Sequence, residues 1–160
     1  LIDLTTGATS YSGLQNRLTA TFGSSALSNA LAGIGNPDYK ITASGAFNFD
    51  QALTTGGGLN ATAAGGIILS ANLTTGSAAT FNSAVTLGRD VTLISGNALA
   101  FHSTINGAHK LTLSGTSLDF GGAVGGTTAL TSLAGDPVWW VFEPDASTGR
   151  AGVWSGWVSE

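Results

Sequence analysis

The fold is decided by residues 91–113, VTLISGNALAFHSTINGAHKLTL, because this stretch ends on the pattern with which it begins. The triplet Val91-Thr92-Leu93 returns twenty residues later as Leu111-Thr112-Leu113, and Leu99-Ala100-Phe101 lies between the two. In each triplet a small residue separates two apolar ones, which is the two-residue period of a short strand with one buried face. The stretch therefore predicts short strands that recur at a fixed interval.

The same period runs through the middle of the chain. Leucine recurs every twenty residues, at Leu53, Leu73, Leu93, Leu113 and Leu133. Three further columns keep step at intervals of twenty and nineteen: Phe81, Phe101 and Phe120; Val85, Ile105 and Val124; Val91, Leu111 and Leu130. Tight bends are expected at a column of glycines, namely Gly56, Gly76, Gly96, Gly115 and Gly135.

Short strands, glycine corners and a fixed period predict an all-β fold, a parallel β-helix of about five coils over residues 41–135. Each coil cannot bury its inner side chains alone, but successive coils stack like residues into ladders. At about 4.8 Å per rung the rod is about 24 Å long. The alternative is a β-sandwich in which the spacing repeats by coincidence.

The repeats TFNSAVTLG (80–88), DVTL (90–93), TINGAHKLTL (104–113) and FGGAVGGTTAL (120–130) resemble those of filamentous-haemagglutinin-like large exoproteins. The resemblance covers residues 53–133. It implies a right-handed β-helix on a secreted bacterial surface protein, often an adhesin. It brings no catalytic residues with it.

Residues 1–40 do not follow the period. Their apolar residues recur three to four apart, as in Leu14, Leu18 and Phe22, then Leu27, Leu31 and Ile34. This spacing predicts one or two short amphipathic helices. Because an open β-helix end exposes unpaired backbone groups and its apolar interior, we expect this segment to cap or connect the first coil.

The C-terminal segment, residues 136–160, contains all four tryptophans of the chain: Trp139, Trp140, Trp154 and Trp157, together with Phe142. Residues 138–142 and 152–158 are predicted to be the strands of a hairpin. Three roles stay open for these aromatic side chains: a lid on the last coil, a contact with another subunit, or a platform for sugar rings. Adjacent Trp139 and Trp140 point to opposite faces of a strand, so one of them faces outwards.

Composition excludes several classes of partner. Charged residues make up 9% of the chain, its five Lys and Arg residues are scattered singly, and the net charge is −4, so no basic patch can follow nucleic acid phosphates. No apolar run is long enough to predict membrane insertion. The absence of cysteine excludes disulfides and thiolate metal sites.

A search for catalytic groups finds none that belong together. Asp90 and Asp119 are 29 residues apart, which is not a whole number of coils and places them on different faces. Arg89 and Asp90 are expected to form a solvated pair at a turn. His102 and His109 lack the spacing of a metal site or a catalytic triad and are expected on surface turns.

We therefore expect a non-catalytic, secreted structural protein with no cofactor and no metal. It would be a surface adhesin segment or a fibre subunit that stacks head to tail into a homopolymer, since few charges keep its strand edges apart. The alternative is a glycan-binding module that contacts polysaccharide or a host surface through Trp139, Trp140, Phe142, Trp154 and Trp157. Ice binding is a weaker alternative, because Thr92 and Thr112 belong to no sustained Thr-x-Thr ladder.

Overall fold

A computed structural model describes residues 2–7, 10–14 and 37–136. These residues form strands of two to five residues, because each side of a coil is short and ends at a bend. The strands are β1 (Ile2–Thr6), β2 (Tyr39–Ala43), β3 (Phe47–Phe49), β4 (Leu53–Thr55), β5 (Leu59–Ala63), β6 (Ile67–Leu69), β7 (Leu73–Thr75), β8 (Ala79–Phe81), β9 (Val85–Leu87), β10 (Val91–Ser95), β11 (Leu99–Phe101), β12 (Ile105–Asn106), β13 (Lys110–Ser114), β14 (Leu118–Phe120) and β15 (Ser132–Asp136).

The strands build three parallel sheets. Sheet A has the order β1-β2-β5-β8-β11-β14, sheet B the order β3-β6-β9-β12, and sheet C the order β4-β7-β10-β13-β15. The chain therefore visits A, B and C in turn and returns to A one rung further along, for about five turns. This confirms the parallel β-helix and excludes the β-sandwich.

The core is a set of ladders formed by the inner side chains. Along each strand buried and more exposed residues alternate, as in β3, β8 and β11. The predicted phenylalanine column is confirmed: the ring centroids of Phe81 and Phe101 lie 5.1 Å apart, and those of Phe101 and Phe120 lie 5.7 Å apart. Val85, Ile105 and Val124 also stack as predicted.

The last coil does not keep the predicted register. Leu133 pairs with Leu111, 22 residues away, rather than with Leu113, and Leu113 pairs with Gly135. The prediction that Leu130 stacks on Leu111 is therefore wrong. The reason is a longer link: Val124 precedes Ser132 by eight residues, whereas their partners Ile105 and Lys110 are five apart.

A row of buried hydroxyl groups holds the corners between sheets C and A. Thr75 and Ser95 both donate to the carbonyl oxygen of Ser77, each at 2.7 Å. Four glycines of the predicted column, Gly56, Gly76, Gly96 and Gly115, lie in these corners, and a Cβ on Gly96 would lie 2.2 Å from the carbonyl oxygen of Gly76. The fifth prediction is wrong: Gly135 lies within strand β15, paired with Leu113, because the last coil has shifted its register. Polar side chains can be buried inside the coil at this corner because backbone carbonyl oxygens accept hydrogen bonds from their hydroxyl groups.

Sheet A reaches further towards the N-terminus than residue 41, where the sequence places the first coil. Strand β1 pairs in parallel with β2, and Leu4 lies beside Ile41. Residues 11–14 form one helical turn, in which Tyr11 and Leu14 are buried against the core. The rest of the predicted helical pattern, namely Leu18, Phe22, Leu27, Leu31 and Ile34, lies outside the described residues.

Candidate binding cleft at a corner of the β-helix

The aromatic contacts predicted from the sequence, Trp139, Trp140, Phe142, Trp154 and Trp157, lie outside the described residues, as does the predicted hairpin. The other candidates are placed. Asp119 lies on the exposed face of sheet A and Asp90 at a corner between sheets B and C, so the two carboxylates are on different faces, as the spacing predicts. His102 and His109 both lie at bends.

A polar cleft of about 280 Å³ lies at the corner between sheets B and C. Its lining comes from three successive coils: Asp50, Gln51 and Ala52 from the first, Ala71 and Asn72 from the second, and Arg89 and Asp90 from the third. Stacking places these corners above one another because they are about one period apart in sequence. The cleft therefore gathers carboxylate, amide and guanidinium groups that the sequence keeps apart.

Two of these groups are tied to the next rung. The Asn72 side-chain oxygen accepts the backbone N–H of Thr92 at 2.9 Å, and Asp90 accepts that of Lys110 at 2.9 Å. In both cases the donor is twenty residues further on. An Asn or Asp just before a strand thus holds the following coil in register.

Arg89 does not pair with its neighbour Asp90 in the way the sequence predicts. Its guanidinium donates to the carbonyl oxygen of Ser70 at 3.4 Å, while the Asp90 carboxylate lies 3.6 Å from Nδ1 of His109. His109 and Asp90 are both substantially exposed, so this contact contributes little to stability.

Asp50 joins the N-terminal helical turn to the first coil. Its carboxylate accepts the backbone N–H of Ser12 at 2.9 Å and the Ser12 hydroxyl group. Burial acts to raise the pKa of Asp50, but hydrogen bonds outweigh it, and the pKa lies below its ordinary value of 3.8. The side chain and backbone of Ser12 contribute most to the lowering, followed by the backbone of Asp50 and the side chain of Ser10. Sequence reasoning missed this pair because 38 residues separate its members.

This pair predicts an acid-sensitive contribution to stability. A carboxyl group whose pKa is lowered by folding stabilises the native state above its unfolded pKa, and the contribution is lost as the pH falls through the folded pKa. In a double-mutant cycle with Ser12→Ala and Asp50→Asn, we expect a coupling at pH 7 that fades as the pH falls below 3.8. Urea unfolding at each pH measures it. A coupling of equal size at neutral and acid pH contradicts the assignment.

A second polar row runs along the outer face of sheet A. The Asn82 amide group donates to the side-chain oxygens of Asn60 at 2.8 Å and Thr62 at 3.0 Å, and His102 Nδ1 lies 3.1 Å from Asn82 Oδ1. Each contact joins one coil to the next. These side chains therefore support stacking rather than form a pocket.

In the ranges that the structure describes, no three metal-ligating side chains come together. None of the helices described is long and apolar enough to cross a membrane. Comparisons with family models, curated proteins and solved structures gave no match for this chain. The similarity to filamentous-haemagglutinin-like repeats therefore stays a prediction from the residues of the coils.

Proposed function

We propose that this chain is a non-catalytic structural module of a secreted bacterial surface protein, a β-helical rod that serves as an adhesin segment or as a fibre subunit. The observation that carries the proposal is the uninterrupted stack of three parallel sheets. The inner side chains of each coil pack against those at the equivalent positions of the next coil. Coils can therefore be added in one direction with the same architecture.

Head-to-tail stacking is the way in which such a rod would grow. Equivalent residues lie above one another in successive coils, as Phe81, Phe101 and Phe120 do in sheet A. Parallel stacking between copies would repeat this arrangement, and such a contact does not close on itself.

Negative-stain electron microscopy and light scattering over a concentration series test the fibre form of the proposal. We expect filaments with the width of a single β-helix to become longer as concentration rises, because head-to-tail contacts follow mass action. Deletion of residues 138–160 should abolish them, since it removes the segment that follows the last described rung. Particles that stay monomeric at every concentration contradict head-to-tail assembly.

Glycan binding is the second candidate, and the polar cleft with its carboxylate, amide and guanidinium groups favours it. The tryptophans of the C-terminal segment would add apolar faces for sugar rings. We expect Arg89→Ala or Trp139→Ala to weaken binding to polysaccharide without lowering the melting temperature. Binding that survives both changes contradicts this candidate, and unfolding by Trp139→Ala would identify that residue as part of the core.

A further inference from the structure

We propose that the Asn106-Gly107 peptide is a site of self-modification, at which Asn106 becomes aspartate or isoaspartate when the last coil opens. The reaction consumes water and releases ammonia, and it needs no enzyme. Folding controls it, because the segment of residues 125–131, here called the link, engages both groups that react. The inference does not rest on the proposed function, since it concerns only the chemistry of the chain itself.

The first observation is the residue that follows Asn106. Among the nine asparagines of the chain, only Asn106 precedes a glycine. Deamidation begins when the backbone nitrogen of the following residue loses its proton and attacks the side-chain amide carbon, Cγ. Glycine has no side chain to obstruct this approach, and it leaves the backbone free to rotate. Asn106 is therefore the most reactive asparagine of the unfolded chain.

The reaction exchanges one ammonia for one water and transfers no electrons. A bond forms between the backbone nitrogen of Gly107 and Cγ of Asn106, the side-chain nitrogen leaves as ammonia, and a succinimide ring results. Water then opens the ring at one of its two carbonyl groups. Opening at Cγ gives aspartate. Opening at the backbone carbonyl gives isoaspartate, in which the main chain runs through Cβ and Cγ and is one atom longer.

The second observation is that the link engages both groups that must react. The Asn106 side-chain oxygen accepts the backbone N–H of Thr127 at 2.9 Å and that of Thr128 at 3.1 Å. The N–H of Gly107, whose nitrogen is the nucleophile, donates to the carbonyl oxygen of Thr128 at 3.2 Å. Asn106 is half-buried and Gly107 is buried. Because the reaction needs both groups released from the link, the closed rod suppresses it.

The same contacts distinguish the two products. In aspartate, a carboxylate oxygen replaces the amide oxygen and accepts the same two N–H groups, through hydrogen bonds that the charge strengthens. In isoaspartate, the main chain is one atom longer just before Gly107. Gly107 has a φ of 125° and lies close to the coil below, since a Cβ on it would lie 2.6 Å from the carbonyl oxygen of Leu87. The aspartate form therefore closes again, whereas the isoaspartate form does not hold the link.

Mass spectrometry with peptide mapping of the unaltered full chain tests the site and its control by folding. The chain is incubated at one pH and temperature, either folded or unfolded in urea, and the loss of the Asn106 amide is followed as a rise in mass. We expect the folded rod to react at least about tenfold more slowly, because only molecules with an open link react. Equal rates in the two states would overturn the proposal, as would faster deamidation of another asparagine in the unfolded chain.

Two matched glycine variants separate opening of the link from unfolding of the whole rod. Gly125 in the link has a φ of 71°, and Gly66, between β5 and β6, has a φ of 93°. Alanine strains the backbone at both positions. We expect Gly125→Ala to speed deamidation of the folded chain several-fold and Gly66→Ala to leave the rate nearly unchanged. Equal rates in the two variants would contradict control by the link.

Hydrogen exchange followed by NMR tests what each product does to the last coil. The Thr127 amide donates to Asn106, and the Gly96 amide, which donates to Thr75 at 2.8 Å, is the internal control. We expect Asn106→Asp to keep the Thr127 amide protected. In the refolded isoaspartate form, separated by chromatography, this amide should exchange several-fold faster while Gly96 is unchanged. Protection of Thr127 in the isoaspartate form, or its loss in Asn106→Asp, would overturn the assignment of the two products.

Discussion

Replacing Phe81 by alanine is expected to cost about 3–5 kcal/mol of the free energy of unfolding, the range for deleting a fully buried phenylalanine ring. Phe81 is 0% exposed, and its ring lies 5.1 Å from that of Phe101 and 6.5 Å from that of Phe49. The cavity cannot close by collapse, because backbone hydrogen bonds hold the coils on both sides of it at a fixed spacing. Since small domains are stable by about 5–15 kcal/mol, this loss approaches the limit for folding.

The matched control is Thr80→Ala in the same strand. Thr80 points to the outer face of sheet A and is half-buried, so we expect a change within about 0.5 kcal/mol. Urea unfolding followed by circular dichroism measures both variants. A loss below about 1 kcal/mol for Phe81→Ala would mean that the phenylalanine column does not carry the core.

Gly107→Ala is the second change with a large expected effect. Gly107 has a φ of 125°, and a Cβ at this position would lie 2.6 Å from the carbonyl oxygen of Leu87 in the coil below. Backbone strain of order 1–3 kcal/mol adds to an overpacking cost of similar size, so we expect a loss of about 3 kcal/mol. The atom that the methyl group meets is backbone, which cannot turn aside as a side chain can.

Gly45→Ala is the control for this substitution. A Cβ on Gly45 meets nothing within 4 Å, and its backbone lies outside the positive-φ region. Alanine there reduces the freedom of the unfolded chain, so we expect no loss and a gain of up to about 1 kcal/mol. Melting temperatures that fall equally for both variants would contradict the close approach of the coils at Gly107.

The middle of the fold could be predicted from the sequence because identical or similar residues stack on one another. Phe81, Phe101 and Phe120 repeat the same side chain in the same ladder, so their spacing in sequence equals the length of one coil. The register of Leu133 could not be predicted in this way. The longer link before it is rich in glycine and threonine from Gly125 to Thr131. Neither residue type indicates how many residues the link contains before the next strand begins.

Strand β1 was missed for a different reason. Its residues pair with β2 across 37 positions, nearly twice the usual period, so a search at a spacing of twenty does not find them. The corner cleft was missed as well. Its groups are about one period apart, but the sequence analysis compared Asp90 only with Arg89 and Asp119. The position of Asp90 within its coil places it at one corner with Asp50 and Asn72.

Distances between spin labels along sheet A test the central claim most directly, which is that coils one period apart stack in register. Lys40 and Ala100 lie three rungs apart, and Lys40 and Asp119 lie four rungs apart. With cysteine-linked labels at these outward positions, we expect distances of about 14 Å and 19 Å, at about 4.8 Å per rung. The loss of the exposed ion pair between Lys40 and Asp3 should cost little. A second distance that does not exceed the first by about one rung spacing would contradict the β-helix.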